Sequence, residues 1–181
     1  RIEEAVCAGS LDALILEDYA KGVLDRDLGG EIIRLCAAHG VGVSLDPHSA
    51  NAFNLRGLRL MTPNRAEAFA LTGSYYRRGT MPMAEDKALL DVGARLLQEW
   101  GPEMLLVTLG ADGMALFEQG SSPLHIPTRA REVFDVSGAG DTVMATFVLA
   151  LLAGAAPADA ARLANHAAGI VVAEVGTAAV T

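Results

Sequence analysis

VFDVSGAGDTVMATFVLALLAGA, residues 133–155, places Gly138, Ala139 and Gly140 directly ahead of an acid, Asp141, and runs from there into an apolar segment. Glycines at 138 and 140 can adopt backbone angles closed to other residues, and Ala139 has almost no side chain, so successive N–H groups can turn inward as an anion-holding nest. The apolar segment predicts a helix over 140–153, whose first N–H groups lack intrahelical partners and add a positive end to the same spot. A phosphoryl group fits such a cradle. Asp141, in the first turn, is placed to accept a proton from an incoming hydroxyl while the amides stabilise charge on the phosphoryl group in transfer. Phosphoryl transfer needs positioning and charge stabilisation more than covalent help, so a nest and one acid could suffice. A second reading stays open: Asp141 complements the helix dipole, with Ser137 or the glycines as the cap.

Working outward, apolar runs of strand length alternate with segments of helical period, which indicates a mostly parallel sheet covered by helices, an α/β fold. DALILE (12–17), VGVSLD (41–46), LRLMTP (58–63) and MLLVTLG (104–110) read as buried strands. Residues 27–39 and 84–100 read as helices, each closed by a glycine, Gly40 or Gly101. After Gly110 glycine and proline recur every few residues, which predicts antiparallel strands and hairpin turns within 110–135. Two alanine-rich helices follow, over 140–153 and 157–174, with Pro157 suited to a first helical turn. Residues 72–87, which include Arg77 and Arg78, read as a solvated loop.

With 181 residues, 51% of them hydrophobic, the chain can bury one sizeable core, as one domain or part of a larger one. A formal net charge of −8 argues against nucleic acid, which needs a basic face, but leaves room for a small anion held by backbone amides. Cys7 and Cys36 form neither a disulfide framework nor a zinc motif, which fits a reducing, cytoplasmic setting. The chain opens at Arg1 without the order of a signal peptide and without an initiator Met, which predicts a fragment. The apolar run 143–156 is shorter than the roughly 20 residues that span a bilayer, so no membrane segment is expected.

In open parallel sheets, ligands gather beyond the carboxyl ends of the strands. The polar residues there are Asp18, Tyr19 and Lys21 after the first strand, Asp46 and His48 after the second, Asn64 and Glu67 after the third, and Thr108, Gly110 and Gly113 after the fourth. In TPNRAE (62–67), Thr62 reads as a helix cap and Pro63 as the first helical residue, which puts Asn64 and Glu67 on one face. That face could hold hydrated Mg²⁺ through Glu67 and water, although a plain surface glutamate fits as well. The pair of glycines in VTLGADGM (107–114) suits close approach of a ligand or an ordinary turn before a hairpin. No G-x-x-x-x-G-K-[ST] is present, and GAGDTV ends in an acid and a hydroxyl where a dinucleotide fingerprint wants its third glycine.

Taken in order, DYAKGVL (18–24), Asp46-Pro47, TPNRAE, VTLGADG, DVSGAGDT (135–142) and ANHAAGIVVAEVGTAAV (164–180) resemble the ribokinase-type (PfkB) sugar kinases along nearly the entire chain. Within that family the wording is most similar to the kinases that act on a heptose 7-phosphate. The resemblance implies transfer of the γ-phosphate of ATP, with Mg²⁺, to the anomeric hydroxyl of D-glycero-D-manno-heptose 7-phosphate, for the inner core of lipopolysaccharide. It makes Asp141 the base and Gly138, Ala139 and Gly140 the anion hole, and puts Asn64 and Glu67 on Mg²⁺ and phosphate. Thr108, Gly110 and Gly113 would line the nucleotide, with Asn165 near the adenine and Gly176 in the loop closing over it. Lys21 and Asp46 would meet substrate or phosphate.

The family continues the Asp-Pro pair with Lys-Gly, whereas this chain has His48 and Ser49, which weakens any cationic phosphate contact there. Such kinases are also longer. The resemblance implies that residues 1–181 are the C-terminal, nucleotide-binding and catalytic-base part of one sugar-kinase domain, without its N-terminal part, the glycine pair that admits the sugar or the small β lid. Pairing of two copies through that lid and a downstream adenylyltransferase half are implied in the same way. The competing expectations are a non-catalytic nucleotide-binding or assembly fragment of the same fold, and a kinase of this family for another sugar.

Overall fold

A computed structural model of the chain describes residues 1–76, 81–128, 136 and 138–173. Six strands form one sheet in the order β1 to β6: Ala13–Glu17, Gly42–Asp46, Leu60–Met61, Met104–Thr108, Met114–Glu118 and Leu124–Ile126. The first four run parallel, and β5 and β6 add to the edge antiparallel, as the glycine and proline spacing after residue 110 predicts. The helices are α1 (Ile2–Cys7), α2 (Arg26–Ala38), α3 (Arg65–Leu71), α4 (Lys87–Glu99), α5 (Ala139–Leu152) and α6 (Pro157–Val171).

The continuous apolar runs of the central strands feed two cores, one on each face of the sheet. In β4, Leu105 and Val107 join a core with Ile33, Phe69 and Leu96 from α2, α3 and α4. Met104 and Leu106 face the other way and join Val143, Met144 and Phe147 of α5. This is the two-residue period of a strand covered on both sides. The helix α5 is apolar nearly all round because it lies between the sheet and α6, whose Ala160, Ala161 and Ala164 are buried and let the two helices approach closely. Among the described residues, no helix is long and apolar enough to cross a membrane.

Close approach on the opposite face depends on Gly93 of α4. A Cβ there would lie 2.3 to 2.7 Å from the ring carbons of Phe117. Gly93→Ala is expected to destabilise the fold by about 1–3 kcal/mol, through forced displacement of that ring. Denaturant unfolding checks this, and an unchanged midpoint would contradict it.

The helix ends follow local chemistry. Asp25 caps α2 by accepting from the Leu28 N–H at 2.8 Å, and Gly40 follows its last turn at φ +73°. Gly101 follows α4 in the same left-handed region, at φ +65°. Asp25→Ala should cost about 1 kcal/mol by the same denaturant assay, whereas Asp25→Asn should cost little.

Several expected boundaries shift, among them the strand expected over 104–110, which ends at Thr108, and the helix expected over 157–174, which ends at Val171. The helix expected over 84–100 begins as a 3-10 turn, Met83–Glu85, and becomes α4 only after Asp86 caps it by accepting from the Leu89 N–H at 3.1 Å. Asp86 is also paired with Arg65, tying α4 to α3. The strand expected over 58–63 narrows to Leu60–Met61, with one further parallel bridge between Asn64 and Thr108. The cap assigned to Thr62 belongs instead to Asn64, so Pro63 precedes the helix. Thr62 is buried and donates its hydroxyl to Asp46 Oδ1 at 3.0 Å, which takes it away from the helix end.

Candidate active site

Glu17 and Asp46 end the neighbouring parallel strands β1 and β2 and stand opposite each other in register. The first turn of α5 brings Asp141 to the same place, and one carboxylate oxygen from each of the three lies within 4.8 Å of the others. Asp141 stays exposed, whereas Glu17 and Asp46 are half-buried. Gly138 caps α5 at φ +76°, ψ 1°, a left-handed conformation that favours glycine. Gly140 packs with its α-carbon toward Asp46, so that a Cβ there would lie 3.6 Å from Asp46 Oδ2. The Ala139 N–H turns back to the Val136 carbonyl at 3.2 Å. Among the described residues, the amides of Gly140 and Asp141 have no backbone partner.

Three acids at this spacing repel one another, and the strands hold two of them out of water. Burial pushes the Asp46 carboxyl up to about 8, reinforced by the Glu17 charge and opposed by the Thr62 hydroxyl. Burial and the Asp141 charge raise Glu17 as well, against its hydrogen bond with Asp46. Asp46 thus holds a proton in the folded protein at pH values where the unfolded chain, with its ordinary carboxyl near 3.8, has lost it. The stability this contributes is complete at acid pH and disappears as pH rises through about 8. In metal-free buffer the melting temperature is therefore expected to fall between about pH 6 and about pH 9, and Asp46→Asn should flatten that dependence. A melting temperature that rises with pH over the same range would contradict it.

Tyr19 donates its hydroxyl to Asp141 Oδ2 at 3.0 Å. That hydrogen bond, followed by partial burial and the surrounding acids, pushes the phenol up to about 12. The turn beneath Tyr19 is fixed by Asp18, whose Oδ1 accepts from the Ala20 N–H at 2.8 Å. Asn51 Nδ2 donates to both Asp18 oxygens, at 3.0 and 2.9 Å. Ala20 is left-handed at φ +52°, a conformation that costs a residue with a Cβ about 1–2 kcal/mol.

Asn64 and Glu67 form a reciprocal capping box: Asn64 Oδ1 accepts from the Glu67 N–H at 3.0 Å, and Glu67 Oε2 accepts from the Asn64 N–H at 2.8 Å. Burial raises the Glu67 carboxyl, against the Asn64 hydrogen bonds and the nearby His48. His48 Nδ1 accepts from the Ala50 N–H at 3.1 Å.

Thr108 ends β4, and Gly110 opens a 3-10 turn at φ +62°. Gly113 closes that turn at φ +88°, against the backbone of Ile126, Pro127 and Thr128. Asn165 of α6 is buried and donates Nδ2 to the Pro127 carbonyl at 2.7 Å, tying the helix to the end of β6. Lys21 is exposed and makes no ion pair among the described residues. Gly176 and Ser137 lie outside the described residues, as do Arg77 and Arg78.

The structure thus gathers Asp46 and Asp141, with Glu67 close enough to act on Asp46 through its charge. It adds Glu17, which the sequence reading passed over as the last residue of a buried strand. An acid closing an apolar run is the signal in the sequence, but Asp18, next in the chain, is an equally good strand-end acid. Asp18 instead supports the turn.

The mixed six-stranded sheet flanked by helices is the ribokinase-like fold of the solved structures that superpose on it. The profile of the pfkB family of carbohydrate kinases matches residues 7–181, and the chain belongs to that family. It is 44% identical over 169 residues to the bifunctional protein HldE of Desulfatibacillum aliphaticivorans, covering 93% of this chain and 33% of that protein. The HldE protein of Alcanivorax borkumensis is 45% identical over the same shares. The chain spans about a third of the length of these curated relatives. Among solved structures, Arabidopsis thaliana ribokinase complexed with ribose and ATP superposes with a TM-score of 0.78 at 27% identity, over 97% of this chain and 53% of that one. Escherichia coli phosphofructokinase-2 in complex with potassium, at 17% identity, shares the fold with a TM-score of 0.79, over 97% of this chain and 55% of that one.

Proposed function

We propose that the chain is the nucleotide-binding, base-carrying part of an ATP-dependent sugar-phosphate kinase acting on the anomeric hydroxyl of D-glycero-D-manno-heptose 7-phosphate. The observation that carries the reading is the placement of Asp141: an exposed carboxylate one turn behind the left-handed Gly138, beside two helix amides that have no backbone partner among the described residues. In the proposed step the sugar oxygen attacks the γ-phosphorus, the bond from that phosphorus to the bridging oxygen of ADP breaks, and the hydroxyl proton passes to Asp141. The amides of Gly140 and Asp141, at the positive end of α5, stabilise charge on the transferring group. The anion hole expected on Gly138, Ala139 and Gly140 is revised here, because the Ala139 N–H is taken by the Val136 carbonyl, and Gly138 and Ala139 shape the turn. In this reading Thr108, Gly110, Gly113 and Asn165 border the nucleotide and Lys21 and Asp46 meet substrate or phosphate, while Gly176, outside the described residues, keeps the nucleotide role that the resemblance implies. The similarity to HldE proteins supports the choice of heptose phosphate.

Hard oxygen donors suit magnesium, and Glu67 has one carboxylate oxygen outside its capping bond, so this face fits a hydrated Mg²⁺ held by Glu67 with Asn64 alongside. When bound, Mg²⁺ neutralises phosphate charge. Glu67→Gln is therefore expected to weaken magnesium-dependent turnover more than nucleotide binding without metal. An unchanged magnesium titration would return Glu67 to a purely capping role.

The chain's share of its relatives supports reading residues 1–181 as part of a kinase domain within a longer protein. Its place as the C-terminal part of that domain, a cytoplasmic setting, a downstream adenylyltransferase half and pairing of copies through a lid are proposed with it, on the family resemblance. ADP release by the full-length protein across a panel of sugar phosphates tests the substrate. Heptose 7-phosphate is expected to outrun fructose 6-phosphate and ribose, and the reverse order would overturn the substrate while leaving the family.

A further inference from the structure

We propose that Tyr19 is a positioning residue for Asp141, its phenol O–H holding the carboxylate by Oδ2 and leaving Oδ1 to take the acceptor's proton. The inference rests on the reading of Asp141 as the base. Among the described residues, Tyr19 is the one side chain that hydrogen-bonds Asp141, and it does so from 122 residues away, joining the turn after β1 to the first turn of α5. The ring is 59% exposed, so core packing does not account for its placement.

The turn that carries Tyr19 is built to hold it. The Asp18 N–H donates to the Asp46 carbonyl at 3.0 Å, extending the β1 to β2 pairing by one residue. The Asp18 carboxylate then holds the Ala20 N–H and the Asn51 amide, and Ala20 keeps its left-handed backbone between them. Tyr19 is thus flanked on both sides by residues with fixed backbones.

The charges explain why a holder is needed. Glu17 lies beside Asp141, and repulsion between the two charges drives an exposed carboxylate on a helix end toward solvent. A phenol opposes that displacement. A lysine in the same place would neutralise the base as it oriented it, whereas the phenol supplies a donor and no charge. Its hydroxyl keeps its proton across the working pH range, because Asp141 and the neighbouring acids disfavour the phenolate.

The test is a double-mutant cycle in the full-length protein, read by single-turnover phosphoryl transfer and steady-state kinetics. Tyr19→Phe keeps the exposed ring and removes the donor. It is expected to lower kcat about tenfold, with the KM for ATP and the melting temperature unchanged, because a slightly misplaced base slows the chemical step without altering nucleotide binding. In an Asp141→Asn background the same change should have no further effect. Wild-type turnover by Tyr19→Phe, or an equal loss in both backgrounds, would overturn the role of Tyr19 while leaving Asp141 as the base. Near wild-type turnover by Asp141→Asn alone would overturn the base itself, and the role of Tyr19 with it.

Discussion

Asp141→Asn is expected to lower kcat of the full-length kinase by roughly 10² to 10⁴, the range that a positioned general base contributes, while ATP binding and the fold persist. The amide has nearly the shape of the carboxylate and still sits in the first turn of α5, so the Tyr19 hydroxyl keeps an oxygen to donate to. What is lost is the ability to accept the hydroxyl proton. If Asp141 served only the helix dipole, the substitution would lower the melting temperature slightly and leave the chemistry intact. Paired measurements of kcat and melting temperature therefore separate the two roles, which predict opposite patterns.

Gly113→Ala is expected to have the largest effect on stability, about 3 kcal/mol or more by denaturant unfolding of the same protein. Gly113 sits at φ +88°, ψ −125°, where a side chain is strained whatever space surrounds it. A Cβ would also lie 2.1 Å from the Ile126 carbonyl oxygen, 2.6 Å from the Thr128 nitrogen and 2.7 Å from the Pro127 carbonyl carbon. All three are backbone atoms, so no rotamer change can relieve them. The contrast is Gly93, whose crowding comes from the Phe117 ring and can be relieved in part by ring movement. A loss below about 1 kcal/mol for Gly113→Ala would contradict the close packing of the turn after β4 against the end of β6.

Gly113 also shows how far sequence reading reached. The two glycines of VTLGADGM suggested close approach, of a ligand or of a turn. The structure supplies a backbone partner from β6 for Gly113, and a role toward nucleotide remains our proposal. The strand runs and the helix terminators Gly40 and Gly101 were legible because apolar period and left-handed glycine act locally. The start of α3 was not, because Thr62 and Asn64 are both good caps by composition. What decides between them is the Asp46 carboxylate, on another strand, which takes the Thr62 hydroxyl.

The site divides in the same way. The helix start at Gly138 and the acid in its first turn could be read directly, since they are contiguous in the chain, whereas an anion-holding nest there remains our proposal. Glu17 could not, because its importance comes from register: β1 and β2 pair so that Glu17 stands opposite Asp46, and only the folded sheet brings Asp141 to both. Tyr19 was one of several polar residues after the first strand. Nothing in the local sequence ties it to Asp141, and the contact arises from the turn that Asp18 and Asn51 hold.

The most direct test of the proposed activity is the fate of the γ-phosphate when the full-length protein is given ATP, Mg²⁺ and D-glycero-D-manno-heptose 7-phosphate, followed by phosphorus NMR. The account predicts a new phosphate resonance on the anomeric oxygen, appearing in step with ADP. Release of free inorganic phosphate in its place, or phosphate on any other hydroxyl, would contradict it.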